Sequence, residues 1–231
     1  TPDRACSDTG SSRMNKQPIL IAAFILGAFA VAGVGLVAVT HAFTAERIAA
    51  NERAALLRKL EAILPAEGVD NDLINDRIEV SDPELLGSDR TRVYRARSQG
   101  EPVAVVLNPV APDGYSGSIN LLVAVLKDGS LGGVRVLSHH ETPGLGDRIE
   151  EQKSDWILGL TGRSLRDPTP EQWKVKRDGG TFDQFTGATI TPRAVVKAVK
   201  NTLLFVQQEG EALYDPLPPP PQPNPQEPDD A

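Results

Sequence analysis

A single cysteine, Cys6, in 231 residues removes several classes of protein at once. One thiol makes no internal disulfide, no Cys-x-x-Cys zinc site and no iron–sulfur cluster. A secreted disulfide scaffold is excluded, and any redox chemistry must come from a bound organic cofactor or from a partner. Aromatic residues are only 5% of the chain, so no stacking platform for bases is visible. An excess of positive charge is also missing. Lys and Arg number 24 against 31 Asp and Glu, a net charge of −7, with a pI near 5.1. A nucleic-acid backbone needs a basic face, which argues against nucleic acid as a partner. The length suits one soluble domain of ordinary size plus extra segments.

The strongest physical signal is the run ILIAAFILGAFAVAGVGLVAV, residues 19–39, which has no charge and no strongly polar group. As a helix it is long enough to cross a hydrocarbon core of about 30 Å. A signal peptide would have a shorter apolar core, roughly 7–15 residues, followed by a small-x-small cleavage site. Here the run is longer and passes into THAFTAERIAANERAALL, which is helix-compatible and polar. The reading is a retained anchor over 19–41. No cysteine follows it, which argues against a lipoprotein. Arg4, Arg13 and Lys16 precede the span, whereas Glu46, Arg47, Glu52 and Arg53 balance one another after it. The positive-inside rule then puts residues 1–18 in the cytoplasm and the C-terminal part on the periplasmic side of a bacterial inner membrane. Met14, followed by NKQPILI, reads as a natural start, so residues 1–13 are expected to be an extension without a role.

Beyond the span, Leu56, Leu57, Leu60, Ile63 and Leu64 recur at three and four. This predicts a membrane-proximal helix over 42–65 that Pro65 ends. Residues 66–213 read as the folded domain. RIEVSD and RVYRARSQG look like short strands. Residues 103–107, 119–126 and 133–137 are rich in Val, Ile and Leu and read as strands too. KDGS between the last two is a hairpin turn, with Asp-Gly supplying positive φ angles. RIEEQKSDWILGL and AVVKAVKNTLLFVQQ read as helices packed on the resulting small antiparallel sheet, so the class is α+β. The tail, 214–231, is Pro-rich and acidic, and it is expected to be disordered or polyproline II.

The stretch FDQFTGATIT, residues 182–191, puts three hydroxyls (Thr186, Thr189 and Thr191) on a tight loop. Thr191 before Pro192 reads as a helix N-cap with proline at the first helical position, the helix running from Arg193 to about Gln208. Val195, Val196, Val199, Leu203 and Val206 form its apolar stripe. Gly187, Ala188 and Thr189 then lie just upstream of a helix N-terminus. Free N–H groups and the positive dipole end favour an anion such as phosphate there. Thr189 is placed to contact it or bond to it. On physics alone, threonines that merely cap and pack explain the loop as well.

The segment DQFTGAT, residues 183–189, resembles the flavin-attachment motif of the FMN-binding domain family. GYSGSI (114–119), HHETPGLGDRIE (139–150) and WKVKRDGG (173–180) resemble further blocks, in the same order, of the G-subunit family of Rnf-type electron-transport complexes. That resemblance runs from the membrane span to about Leu204. The C-subunit family of sodium-pumping NADH:quinone reductases shares the attachment motif and the single span. The resemblance implies an FMN joined through a phosphoester to Thr189 by a flavin transferase that consumes FAD. It implies electron transfer between ferredoxin and NAD, coupled to ion movement, with other membrane subunits as partners.

It also implies a binding site made of Thr186, Gly187, Ala188, Glu141, Thr142, Gly144, Leu145, Lys174 and Asp183. The loop from Glu141 to Gly146, with Pro143, would lie against the isoalloxazine ring, with backbone N–H groups bonding the flavin and Leu145 covering a face. Two glycines and a proline are also ordinary turn chemistry. Lys174 and Lys176 alternate on a predicted strand; one would pair with the FMN, or both face solvent. Asp183 would serve recognition or magnesium during attachment. Tyr115 and Ser116 shape the pocket or form a turn. Trp156 and Trp173 read as core. His139, His140 and Glu141 are adjacent in a loop and lack a fourth ligand, so no metal is expected. The rivals are a membrane-anchored binding module without redox chemistry, a stand-alone flavin enzyme, for which no acid–base pair is visible, and a structural subunit that has lost its FMN.

Overall fold

The computed structural model describes residues 16–64 and 69–214. The readings for residues 1–13, Pro65 and the tail from 215 onward lie outside these. The chain divides into two compact units, Thr1–Ala54 and Ala55–Ala231. The first is dominated by helix α1, Lys16–Glu61, whose last residues, 55–61, belong to the second unit. Leu20, Phe24, Leu26, Phe29, Val31, Val34 and Leu36 are all exposed along α1. This helix is long and apolar enough to cross a membrane. A helix that is apolar all round has no water-facing side to offer. No boundary separates the span from a second helix at 41/42. The spacing of Leu56, Leu57 and Leu60 simply continues α1, which stops at Glu61, short of Pro65.

The second unit is built on six antiparallel strands: β1, Arg77–Asp82; β2, Ser88–Ser98; β3, Glu101–Leu107; β4, Val110–Ala111; β5, Ile119–Leu126; and β6, Leu131–Ser138. The order is β1-β2-β3-β5, with β6 on the other edge of β5. β3 pairs with β5 through Leu107↔Val123, and β4 pairs with β5 through Ala111↔Ile119. The β2–β3 hairpin turns on Gln99 (φ 51°) and Gly100 (φ 85°), the doubly left-handed geometry that fits strand twist. The β5–β6 turn is different. Only Gly129 is left-handed (φ 83°), while Asp128 Oδ1 accepts from the Ser130 N–H at 2.8 Å. It is therefore a longer loop than the Asp-Gly pair suggests.

β5 is apolar on both faces because both are covered. Ile119, Leu121, Val123 and Val125 join one core with Val195, Val199 and Leu203 of helix α3, Ile190–Glu209. Leu122 and Ala124 join the other, with Leu60, Ile63 and Leu64. Gly133 on β6 makes the second contact close: a Cβ there would lie 3.0 Å from Ile63 Cβ. The class is α+β, as the strand and helix pattern indicates.

Two predicted elements differ. RIEEQKSDWILGL is not one helix but two 3₁₀ turns, Gly146–Ile149 and Asp155–Leu160. Ser154 separates them: its hydroxyl donates to the Arg148 carbonyl at 2.6 Å and accepts from the Trp156 N–H at 3.3 Å, a local bond that competes with helix. Lys174 and Lys176 do not lie on a strand. Val175 forms one isolated bridge with Phe182, and Lys176–Asp178 is a 3₁₀ turn closed by Gly179. Gly180 lies against the Lys174 carbonyl, so a Cβ there would sit 2.0 Å from it.

Two outcomes follow from this packing. Leu121→Ala empties part of the core shared with α3 and should cost about 2–5 kcal/mol in urea unfolding. Burial pushes the Tyr214 hydroxyl up to about 12, helped by Glu211 and Asp128. A near-UV tyrosinate titration should show a late step that Tyr214→Phe removes. With its folded value raised, the Tyr214 contribution to stability is intact below about pH 10 and lost as pH rises through about 12.

Candidate functional site

Three loops meet at one end of the sheet: residues 112–118 between β4 and β5, residues 139–145 after β6, and residues 183–189 before α3. The Glu141 side chain joins them. It is only 4% exposed. Its Oε1 accepts from the Ser116 N–H at 3.0 Å, and its Oε2 accepts from the Thr191 hydroxyl. Two glycines leave room for the carboxylate. A Cβ at Gly146 would lie 2.8 Å from Oε2, and one at Gly114 would lie 2.9 Å from Oε1. A buried carboxylate left without donors is costly, so these bonds fix the mutual position of all three loops.

The first of these loops holds Tyr115, 67% exposed, and the second holds Leu145, 44% exposed. Ile190, 43% exposed, follows the third. Among the described residues of the second unit these are the exposed large apolar side chains; the others all lie on α1. The third loop turns at Phe185–Ala188, closed by the Ala188 N–H to the Phe185 carbonyl at 3.1 Å. Gly187 supplies φ 83°, a conformation that side chains disfavour. Leu145 packs over it, 3.7 Å from where a Cβ would be. The segments GLG and TGAT, far apart in sequence, are thus in contact.

α3 begins at Ile190, with Thr189 as the residue before it, in helical conformation (φ −73°, ψ −28°). The Thr191–Pro192 signature therefore misplaces the start by two residues. Thr191 is buried and its hydroxyl is committed to Glu141, so it caps nothing. Pro192 is tolerated because its missing N–H falls among the first-turn donors that lack partners in any case. Thr189 makes no side-chain capping bond. Thr189 is half-buried and stands at the positive dipole end of a 20-residue helix. An apolar ring system with an anionic tail fits the chemistry of these residues: exposed apolar side chains for the ring, a helix N-terminus for the phosphate, and the Thr189 hydroxyl at that terminus.

Other residues have structural tasks. The N–H groups of Leu145 and Gly146 both donate to the Thr142 carbonyl at 3.1 Å, and the Glu141 N–H donates to His139 Nδ1 at 3.0 Å. Those three donors are not free for a ligand. Thr142, Pro143, Gly144 and Thr186 are exposed, and Ala188 packs on the core. The Gly144 backbone N–H, with the Lys153 ammonium, holds the Asp147 carboxyl below its ordinary value. Asp183 is exposed and pairs with Lys176 at 2.6 Å, and its carbonyl accepts from Trp156 Nε1 at 2.7 Å. Trp156 also stacks edge-on against Phe185 at 5.3 Å, and Arg148 lies 4.9 Å over the same ring. Trp156 thus anchors the loop from beneath. Trp173 is in the core against Phe182. Lys174 is exposed. Arg193, in the first turn of α3, is held in a bidentate pair by Asp178. His139 bonds Glu150, whereas His140 is exposed. Among the described residues no cluster of three His, Cys, Asp or Glu is placed to hold a metal. The Glu141 tie, the Arg148–Phe185 contact and the Trp156 bond depend on side chains more than a dozen residues apart, and no local pattern announces them.

Residues 114–204 match the FMN-binding domain family, and residues 14–63 match the RnfG N-terminal region. The G subunit of the ion-translocating oxidoreductase complex of Pseudomonas aeruginosa (strain UCBPP-PA14) is 50% identical over 202 residues, covering 87% of this chain and 94% of the relative. The corresponding G subunit of Vibrio atlanticus (strain LGP32) is 48% identical over 189 residues, 82% of this chain and 90% of the relative. That of Shewanella loihica (strain ATCC BAA-1088 / PV-4) is 48% identical over 201 residues, 87% and 95%. With both family regions in order and half of the residues identical along nearly the whole relative, this chain belongs to the G-subunit family of ion-translocating oxidoreductase complexes.

Proposed function

We propose that this chain is the electron-carrying flavoprotein subunit of a membrane-bound, Rnf-type ion-translocating oxidoreductase, and that it holds FMN through a phosphoester on Thr189. The observation that carries the site is the arrangement around Thr189. Its hydroxyl caps no backbone group, it stands at the start of α3, and the exposed apolar side chains of the domain lie on the loops around Glu141 (Tyr115 and Leu145) and on the first residue of α3 (Ile190). Bound FMN supplies one-electron transfer, which no side chain of this chain provides.

The protein's own part is to bind and orient. Gly187 keeps the turn before Thr189 free of a Cβ. Leu145, Tyr115 and Ile190 offer apolar surface to the ring, and the first turn of α3 offers N–H groups to the phosphate. Attachment by a flavin transferase forms one P–O bond at Thr189 Oγ1 and breaks the pyrophosphate bond of FAD, with AMP as the leaving group and the hydroxyl proton released with it. Thr186 and Asp183 are exposed beside the turn and fit a role in recognition by that transferase. Residues 1–18 are assigned to the cytoplasm, 19–41 to the membrane and the domain to the periplasmic side, on the charge balance across the span. The partners are the other membrane subunits of the complex.

Intact mass of the full chain co-produced with the transferase tests the linkage. The parent should gain one FMN less water, Thr186→Ala should retain some of that gain, and Thr189→Ala should lose it. No gain in the parent, with the transferase active on another substrate, overturns the covalent reading. The tie itself is tested separately. Glu141→Ala leaves the Thr191 hydroxyl and the Ser116 N–H without acceptors and should cost about 2–4 kcal/mol in urea unfolding, with flavin occupancy reduced in the same preparation.

A further inference from the structure

His139 is not among the residues proposed to hold FMN, yet its contacts are restrictive. Its side chain is 12% exposed. Nδ1 accepts from the Glu141 N–H at 3.0 Å, and Nε2 lies 3.0 Å from Glu150 Oε1. A main-chain N–H can only donate, so Nδ1 must carry the lone pair. Nε2 then bears the proton and donates it to Glu150. The geometry therefore requires the neutral ring in one tautomer. A second proton, on Nδ1, would set two donors against each other across 3.0 Å, and one contact would have to break.

We propose that His139 is a positioning residue for the three loops around Thr189, acting through Glu141, and that protonation of its ring loosens the hold of Glu141 on Ser116 and Thr191. The inference rests on the flavin-site reading only for its consequence, not for its geometry. The ring is reachable by protons from solvent, because it lines a groove of about 500 Å³ with Arg58, Lys59, Arg135, Glu150 and Glu151. The charged groups around it act in both directions. Glu150 faces Nε2, and Asp147, itself paired with Lys153 at 3.4 Å, adds negative field from the following turn. Arg135 of β6 is paired with Glu151. Lys59, on the end of α1, donates to the Val136 carbonyl at 3.3 Å, and Arg58 is exposed.

A protonated ring would keep Glu150 as its counter-charge and abandon the Glu141 amide. The bond to Glu141 is thus present while the ring is neutral and is lost as pH falls. Glu141 is the residue whose carboxylate carries both inter-loop bonds, so a change in its backbone reaches the first turn of α3 directly.

The test is hydrogen exchange on the full chain in detergent, prepared without the flavin transferase, at steps across about pH 5 to 8. Protection factors for the bonded amides of Glu141, Leu145, Gly146 and Arg193 should fall about five- to tenfold as pH drops, the loss of roughly one hydrogen bond. His139→Asn presents an amide oxygen in place of Nδ1 and cannot titrate, so it should hold the high-pH protection throughout. Glu150→Gln removes the counter-charge and should move the midpoint to lower pH, which also decides the matter if His139→Asn does not fold. Flat protection in the parent, the same pH dependence in His139→Asn, or an unmoved midpoint in Glu150→Gln overturns the proposal. In flavin-loaded chain the visible flavin band should shift with the same midpoint, and a band indifferent to pH overturns the coupling to the flavin site. Failure of the chain to take up flavin counts against the proposed function alone, because the exchange measurement does not require it.

Discussion

One buried carboxylate organises the functional end of this domain. Glu141 has two oxygens and uses one on the 112–118 loop, the Ser116 N–H through Oε1, and the other on the first turn of α3, the Thr191 hydroxyl through Oε2. The glycines at 114 and 146 are the space it occupies. The other ties at this end lie nearer the surface: Lys197 of α3 pairs with Asp113 at 2.6 Å, and Leu145 packs against Gly187. A carboxylate in that position is costly unless its donors are in place. The bonds therefore specify one arrangement of the loops rather than adding much net stability. Leu145 reaches Gly187 as a consequence, and Thr189 is delivered to the helix start beside them.

The rest of the fold holds the ends of those loops still. β5 carries apolar residues on both faces because α3 covers one and the 55–64 segment covers the other. β6 enters the 139–145 loop, β4 and β5 bracket the 112–118 loop, and α3 leaves the third. All are tied to a strand that cannot shift by one residue without exchanging its two cores. Precision at the site is thus inherited from β5. The same argument explains why the loops themselves can be short of regular structure: their positions are set from outside, and Glu141 supplies the buried tie at their centre.

What the sequence discloses follows the range of the interactions involved. β3, β5 and β6 are legible because their apolar patterns are local and their burial is two-sided. The apolar run of α1 is legible for the same reason. The two 3₁₀ turns at 146–149 and 155–160 are not, because RIEEQKSDWILGL has helical composition and only the Ser154 bonds to Arg148 and Trp156 interrupt it. The start of α3 is hidden because Thr-Pro is a sound N-cap signal in isolation, and only the buried Glu141 explains where the Thr191 hydroxyl goes. The motif around Thr189 singles out the turn at the start of α3, whereas the motif around Glu141 suggests ligand contact for a residue whose side chain and N–H are both committed to the scaffold.

The division of labour within a larger assembly follows from what this chain can and cannot do in a membrane. Residues 19–41 contain no Asp, Glu, Lys or Arg, and a single helix encloses no pathway. Ion movement through hydrocarbon needs charged or polar groups lining a protected route, so under the proposed function coupling is assigned to other subunits. The span is left with the task of keeping the domain at the membrane. Under the proposed function, a cofactor bonded to the chain completes that logic. An electron carrier held by affinity alone would be diluted into the compartment whenever it dissociated. A phosphoester at Thr189 removes that loss regardless of how weakly the loops hold the ring. The loops are then free to be tuned for orientation and for response to their surroundings, which is the role that the bonds of Glu141 and His139 fit.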